Sequence, residues 1–130
     1  MSLLTTPEER FADVPDYDYD PQFLEVDVGR DETPQMAYVD VEGEGAGDET
    51  FLCLHGEPTW GFLYRKMIPG LSERGRVVVP NLLGFGRSDK YDSREAYDYE
   101  LHYRALDSFV EQLDLSNVTL VCQDWGGLLG

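Results

Sequence analysis

Lysine is almost missing from this chain. Of its ten basic residues only Lys66 and Lys90 are lysines, set against 26 acids. Histidine and cysteine are just as scarce, at two apiece. No apolar run approaches the roughly 18 residues needed to cross a bilayer as a helix. The opening "MSLLTTPEERF" has neither the basic start nor the apolar stretch of a secretory signal. A formal net charge of −16 gives a surface that repels nucleic acid and anionic lipid, so neither is expected as a partner. Together these absences lead to the expectation of a cytoplasmic protein.

The acids are unevenly placed. Residues 1–50 hold 15 of them with only Arg10 and Arg30, a net charge of −13, whereas residues 51–130 carry −3. Carboxylates keep their hydration when dense counterions screen their repulsion, so the acid excess with little lysine favours adaptation to high salt over a merely acidic surface. Cys53 and Cys122 lie within the apolar runs "FLCLHG" and "VTLVCQD" and are expected to be buried, reduced thiols. With no His/Cys cluster beside them they make no zinc site, and neither a metal nor a cofactor is expected. The D-x-D-x-D spacing from Asp16 is no calcium loop. Its sixth position is Pro21 where a glycine is needed, and its twelfth is Asp27 rather than glutamate.

What is present is a globular composition, 42% apolar and 12% aromatic, over 130 residues, enough for one domain with a core. Residues 1–21 read as an irregular acidic arm. "QFLEVDVG" (22–29) and "QMAYVDVEG" (35–43) alternate and flank the turn-forming "RDETP", which predicts an antiparallel pair. "FLCLHG", "RVVV" (76–79) and "VTLVCQ" (118–123) are short apolar runs suited to strands buried on both faces. Between them a helix is predicted from about Trp60 to Ile68, with Thr59 as N-cap and an interruption at Pro69 and Gly70. A second starts near Tyr99, with Leu101, Ala105, Leu106, Phe109, Val110 and Leu113 on one face. An antiparallel start followed by parallel β-α-β-α-β is the pattern of an α/β sheet, whose ligands gather at the carboxyl ends of its strands. "HGEPTW", "GFGRSD" and "QDWGG" fall there.

The last of these has the form of a nucleophile elbow, a sharp strand-to-helix turn that lifts one side chain out of the sheet. Small residues stand two before and two after the central position, at Cys122 and Gly126, and Gly127 is expected to give the following helix room. The central residue is Asp124 rather than serine. An aspartate is ionised at neutral pH and can attack carbon directly to form an ester, which excludes the ordinary serine esterase. An aspartate that simply N-caps a helix is the alternative. In "HGEPTW", the Glu57 N–H with that of Trp125 would form an oxyanion hole for ester hydrolysis. His55 and Gly56 are expected to brace that loop rather than to carry chemistry. "GFGRSD" is not a phosphate loop, since no Gly-Lys-Ser/Thr follows.

"HGEPTW", "LYRKMIP", "GFGRSDK" and "VCQDWGG", in this order and spacing, resemble the haloalkane dehalogenases of the α/β-hydrolase fold, as does the opening "RFADVPDYDYDPQFLEV". The resemblance covers nearly all of the chain. It implies an N-terminal part of one α/β-hydrolase domain over residues 1–130, with the cap domain and C-terminal half outside it. It also implies a small halogenated alkane and water as substrates, with a halide ion and an alcohol as products. Asp124 would attack the halogen-bearing carbon, and the Trp125 indole N–H would receive the departing halide. Glu57 only accepts hydrogen bonds through its side chain, so a second halide donor is expected from elsewhere. Trp60 does not match that position. The base and acid for ester hydrolysis are expected beyond residue 130, since His102 reads as a surface residue near the start of a helix. The family's aspartate at the end of the second buried strand is replaced by Asn81, with an effect expected on loop packing only. An epoxide hydrolase shares the aspartate elbow, but Gln123 and "HGEPTW" favour the dehalogenase. An inactive fragment is the reading from another class. The sequence does not indicate an oligomeric state.

Overall fold

The computed structural model describes residues 3–12, 17, 19–44, 48–57 and 59–130. Strand β1 (Leu3–Leu4) is followed by β2 (Gln22–Glu25), β3 (Gln35–Val41) and β4 (Thr50–Leu54). Helix α1 (Ile68–Ser72) leads into β5 (Arg76–Pro80) and the two-residue β6 (Lys90–Tyr91). Helix α2 (Tyr99–Leu113), β7 (Val118–Cys122) and helix α3 (Trp125–Leu129) complete the order.

The main sheet runs β2-β3-β5-β4-β7. β2 and β3 form the expected antiparallel pair, β3 meets β5 antiparallel, and β4 lies parallel to both β5 and β7. Because side chains alternate across a strand, β4 divides its residues between two layers. Leu52 and Leu54 join Val78 of β5 and pack with Leu101, Ala105 and Phe109 of α2. Phe51 and Cys53 join Val77 and Val79 on the other face, under Tyr64 and Ile68. Covering both faces is what makes these strands continuous apolar runs. Full burial of a side chain such as Phe109 stabilises the fold by about 1.5–3 kcal/mol.

Helix α2 follows the sequence pattern closely. The Asp98 carboxylate accepts from the Leu101 N–H at 2.8 Å as its N-cap, and Asp114 ends it in the left-handed region at φ 52°.

The stretch between β4 and β5 departs from expectation. Instead of one helix from Trp60 to Ile68 there is a 3-10 turn at Gly61–Tyr64, and α1 starts only at Ile68. Pro69 stands in the first turn of α1, where its missing N–H costs nothing, so it begins the helix rather than ending it. Thr59 is no cap. Its hydroxyl donates to the Gly56 carbonyl at 2.6 Å, while the Gly61 N–H is taken by Asn81 Oδ1 at 2.8 Å.

Two further expectations change. The N-terminal arm is in part ordered: Leu3 and Leu4 pair antiparallel with Tyr91 and Lys90, Glu8–Phe11 forms a 3-10 turn, and Tyr17 is buried against Trp60 and Phe62. Residues 13–16 and 18 of that arm lie outside the described residues. Cys53 is buried as expected, but Cys122 is exposed, and both are free thiols. Cys122 belongs to β7, which is the sheet's edge strand among the described residues, and Val118 and Leu120 are exposed with it.

Candidate active site

The pairing of Leu54 with Cys122 sets the ends of β4 and β7 side by side, so the two turns that follow must touch. One is His55-Gly56-Glu57 and the other is Gln123-Asp124-Trp125. The Gln123 N–H donates to the Leu54 carbonyl at 3.2 Å, extending the contact one step past the strands. Tyr64 locks the base of the pair. Its hydroxyl lies 2.6 Å from the Leu54 carbonyl and 3.2 Å from that of Val121. Sequence reasoning gave Tyr64 no role, although it belongs to the "LYRKMIP" string.

Asp124 turns the chain. Its φ of 56° with ψ of −123° is a conformation that L residues rarely adopt, and holding it costs about 1–3 kcal/mol. The turn is closed by the Gly126 N–H on the Gln123 carbonyl at 3.0 Å and the Gly127 N–H on the Asp124 carbonyl at 2.9 Å. Asp124 makes no capping bond to α3, which removes the helix-cap alternative for this residue. Its Oδ2 instead accepts from the Glu57 N–H at 3.2 Å, and the residue is exposed.

The glycines around it are not equivalent. A Cβ on Gly126 would strike the Leu54 carbonyl, and one on Gly56 would strike the Asp124 Cβ. Those two positions are what allow the turns to meet. Gly127 differs from expectation: a Cβ there would lie 3.9 Å from the Cys122 Cβ, an ordinary contact, so the approach of α3 does not need it. Cys122 is the small residue below the turn, and its exposure follows from its place on the edge strand.

His55 is fully buried. Its Nε2 accepts from the Leu82 N–H at 2.9 Å, which puts the proton on Nδ1, 2.8 Å from the Gly56 carbonyl. Burial pushes its pKa below the ordinary imidazole value and keeps the ring neutral. Both ring nitrogens are thus engaged in holding the Gly56 turn to the Leu82 loop. Asn81, buried at the end of β5, adds to the same support by holding Gly61. Ser88 of "GFGRSD" bonds the Asn81 carbonyl and the Ala37 N–H, so that motif braces the loop from below.

Trp125 starts α3, is 38% exposed, and lines a cavity of about 630 Å³. Glu57, Leu82, Phe85, Tyr97 and His102 share the wall. The Trp125 amide has no partner among the described residues, as suits the first turn of a helix. His102 is the larger surprise: the sequence placed it on a surface helix, and the structure places it at this cavity. Trp60 lies away from the elbow, stacked on Phe62 and tilted against Phe11. Among the described residues no group of three His, Cys, Asp or Glu side chains is placed to hold a metal ion. Nor is any helix long and apolar enough to cross a membrane.

The family model of the alpha/beta hydrolase fold matches residues 49–130. A haloalkane dehalogenase from Psychrobacter cryohalolentis is 53% identical over 132 residues, and one from Mycolicibacterium paratuberculosis is 48% identical. Both matches cover all of this chain and 43% of the relative, so the chain spans less than half the length of the relatives it matches. The structure of a tetrameric haloalkane dehalogenase from Paraglaciecola agarilytica superposes with a TM-score of 0.90 at 53% identity, covering 100% of this chain and 43% of that one.

Proposed function

The chain belongs to the alpha/beta hydrolase fold family, and from that premise we propose that it supplies the nucleophile of a hydrolytic haloalkane dehalogenase. An Asp124 oxygen attacks the halogen-bearing carbon in line with the bond that breaks. The C–O bond of an alkyl ester forms, and the halide leaves with the bonding pair toward the Trp125 indole N–H. Water then adds to the ester carbonyl, the oxyanion is held by the Glu57 and Trp125 amides, and collapse releases the alcohol and restores the carboxylate.

The observation that carries this reading is the bond from the Glu57 N–H to the Asp124 carboxylate, made while Asp124 sits at positive φ and caps nothing. A donor that meets the ground-state carboxylate is in place for the oxyanion that forms on the same group. His55 is committed to its loop through both nitrogens and His102 makes no hydrogen bond to Asp124, so the proposal assigns the base, its orienting acid and a second halide donor to residues outside these 130. Similarity to dehalogenases supports the substrate class. The acid excess and the shortage of lysine support adaptation to a setting rich in salt.

The test is halide release from a bromoalkane, read beside diol formation from styrene oxide. Bromide without diol supports the proposal, and diol without bromide overturns it in favour of an epoxide hydrolase.

A further inference from the structure

Glu57 and His102 are among the polar side chains at the cavity that lack hydrogen-bond partners. The Glu57 carboxylate makes no hydrogen bond among the described residues, although its own amide is engaged by Asp124. Across the wall, His102 stands in the first turn of α2 with its ring stacked on Tyr97 at 6.1 Å between centroids. Its Nδ1 is walled off from solvent with no partner. That leaves Nε2 as the polar atom free to serve the cavity, and a neutral imidazole with no acceptor at Nδ1 carries its proton on Nε2. Glu57 is the strongest charge acting on this ring, ahead of Asp98. The Lys90 ammonium on the same wall is already taken by the Gly86 and Ser88 carbonyls, and Arg94 completes the charged groups that face the cavity.

Glu57 poses a problem for the chemistry. A free carboxylate beside the elbow repels both the attacking Asp124 and the departing halide, and an unrestrained side chain samples rotamers that bring it closer to them. We propose that His102 is a positioning residue for Glu57, presenting Nε2–H to its carboxylate and holding it against the α2 side of the cavity, clear of the path of the halide. This inference rests on the dehalogenase reading for its consequence, but the proposed bond itself does not depend on turnover.

The experiment has two arms. The first is ¹⁵N-histidine NMR, which resolves the tautomer of each of the two histidines, on the protein and on Glu57→Gln. The expected result is an Nε2–H tautomer for His102 and a lower titration midpoint once the Glu57 charge is removed, with His55 unchanged. The second is bromide-release kinetics for His102→Gln, whose side-chain amide replaces the Nε2–H donor, and for His102→Phe. His102→Phe is expected to lose about tenfold in kcat/KM, the scale of one hydrogen bond to a charged group, while His102→Gln retains most of it. A His102 titration indifferent to Glu57→Gln, or equal losses in the two His102 variants, would overturn the assignment. A shifted titration in a protein that releases no bromide would instead sink the dehalogenase reading and leave the contact standing.

Discussion

The amide of Glu57 and the carboxylate of Asp124 lie 3.2 Å apart, although 67 residues separate them in the chain. Two adjacent parallel strands end in register, and two glycines, Gly56 and Gly126, let the following turns close on each other. The consequences can be measured.

Asp124 is a point of stored strain. Replacing it with glycine, which tolerates positive φ, is expected to stabilise the fold by about 1 kcal/mol or more. The same change should remove bromide release by about four orders of magnitude or more, as loss of a covalent nucleophile does. Urea unfolding and kinetics on the one variant check both halves. Lost activity with lost stability would mean that the turn is not strained.

Gly126 and Gly127 should part company. Gly126→Ala drives a methyl into the Leu54 carbonyl and is expected to cost about 1–3 kcal/mol. Gly127→Ala meets only Cys122 at 3.9 Å and gains helix propensity, so it should be neutral or stabilising by up to about 1 kcal/mol. Thermal unfolding of the pair decides this.

His55 should make the fold sensitive to mild acid. Burial holds its folded-state pKa below the ordinary imidazole value, so the unfolded chain takes up the proton first. The stability this represents is complete above about pH 6.5, the unfolded value, and drains away as pH falls through the depressed folded value. His102, lowered mainly by burial as well, adds to the same slope. His55→Gln is expected to flatten the fall in unfolding free energy between about pH 7 and about pH 5 without abolishing it. An unchanged slope would contradict the assignment of a neutral, buried ring.

With a net charge of −16, the chain should gain stability as counterions screen it. The melting temperature is expected to rise from about 0.1 M to about 2 M potassium chloride. A maximum at low salt would count against salt adaptation.

Much of this arrangement could be read from residue types. The alternation in β2 and β3, the apolar runs of β4, β5 and β7 and the spacing of α2 are local signals, and the elbow announced itself through small residues around one aspartate. The misreadings are all long-range. The helix expected from Trp60 gives way to a 3-10 turn whose first amide, that of Gly61, is held by Asn81 from 20 residues further on. Burial of Cys122 follows from an apolar run when read locally, but exposure is set by a strand's place in the sheet, and β7 is the edge strand among the described residues. A lone histidine in a first helical turn faces water by default, so residue type alone makes His102 peripheral. The loop carrying Phe85, Tyr91 and Tyr97 folds across that turn and makes it a cavity wall. Gly126 and Gly127 are alike as residue types, and only the backbone of β4 tells the two apart.

The central claim is that carbon becomes bonded to Asp124, and peptide mapping by mass spectrometry after reaction with a bromoalkane in ¹⁸O-water tests it directly. The account expects the peptide carrying Asp124 to hold either the alkyl group as an ester or, once the ester has been hydrolysed, an ¹⁸O in the aspartate carboxylate. Alkylation confined to the exposed thiol of Cys122, two residues away, with Asp124 unlabelled, would contradict it.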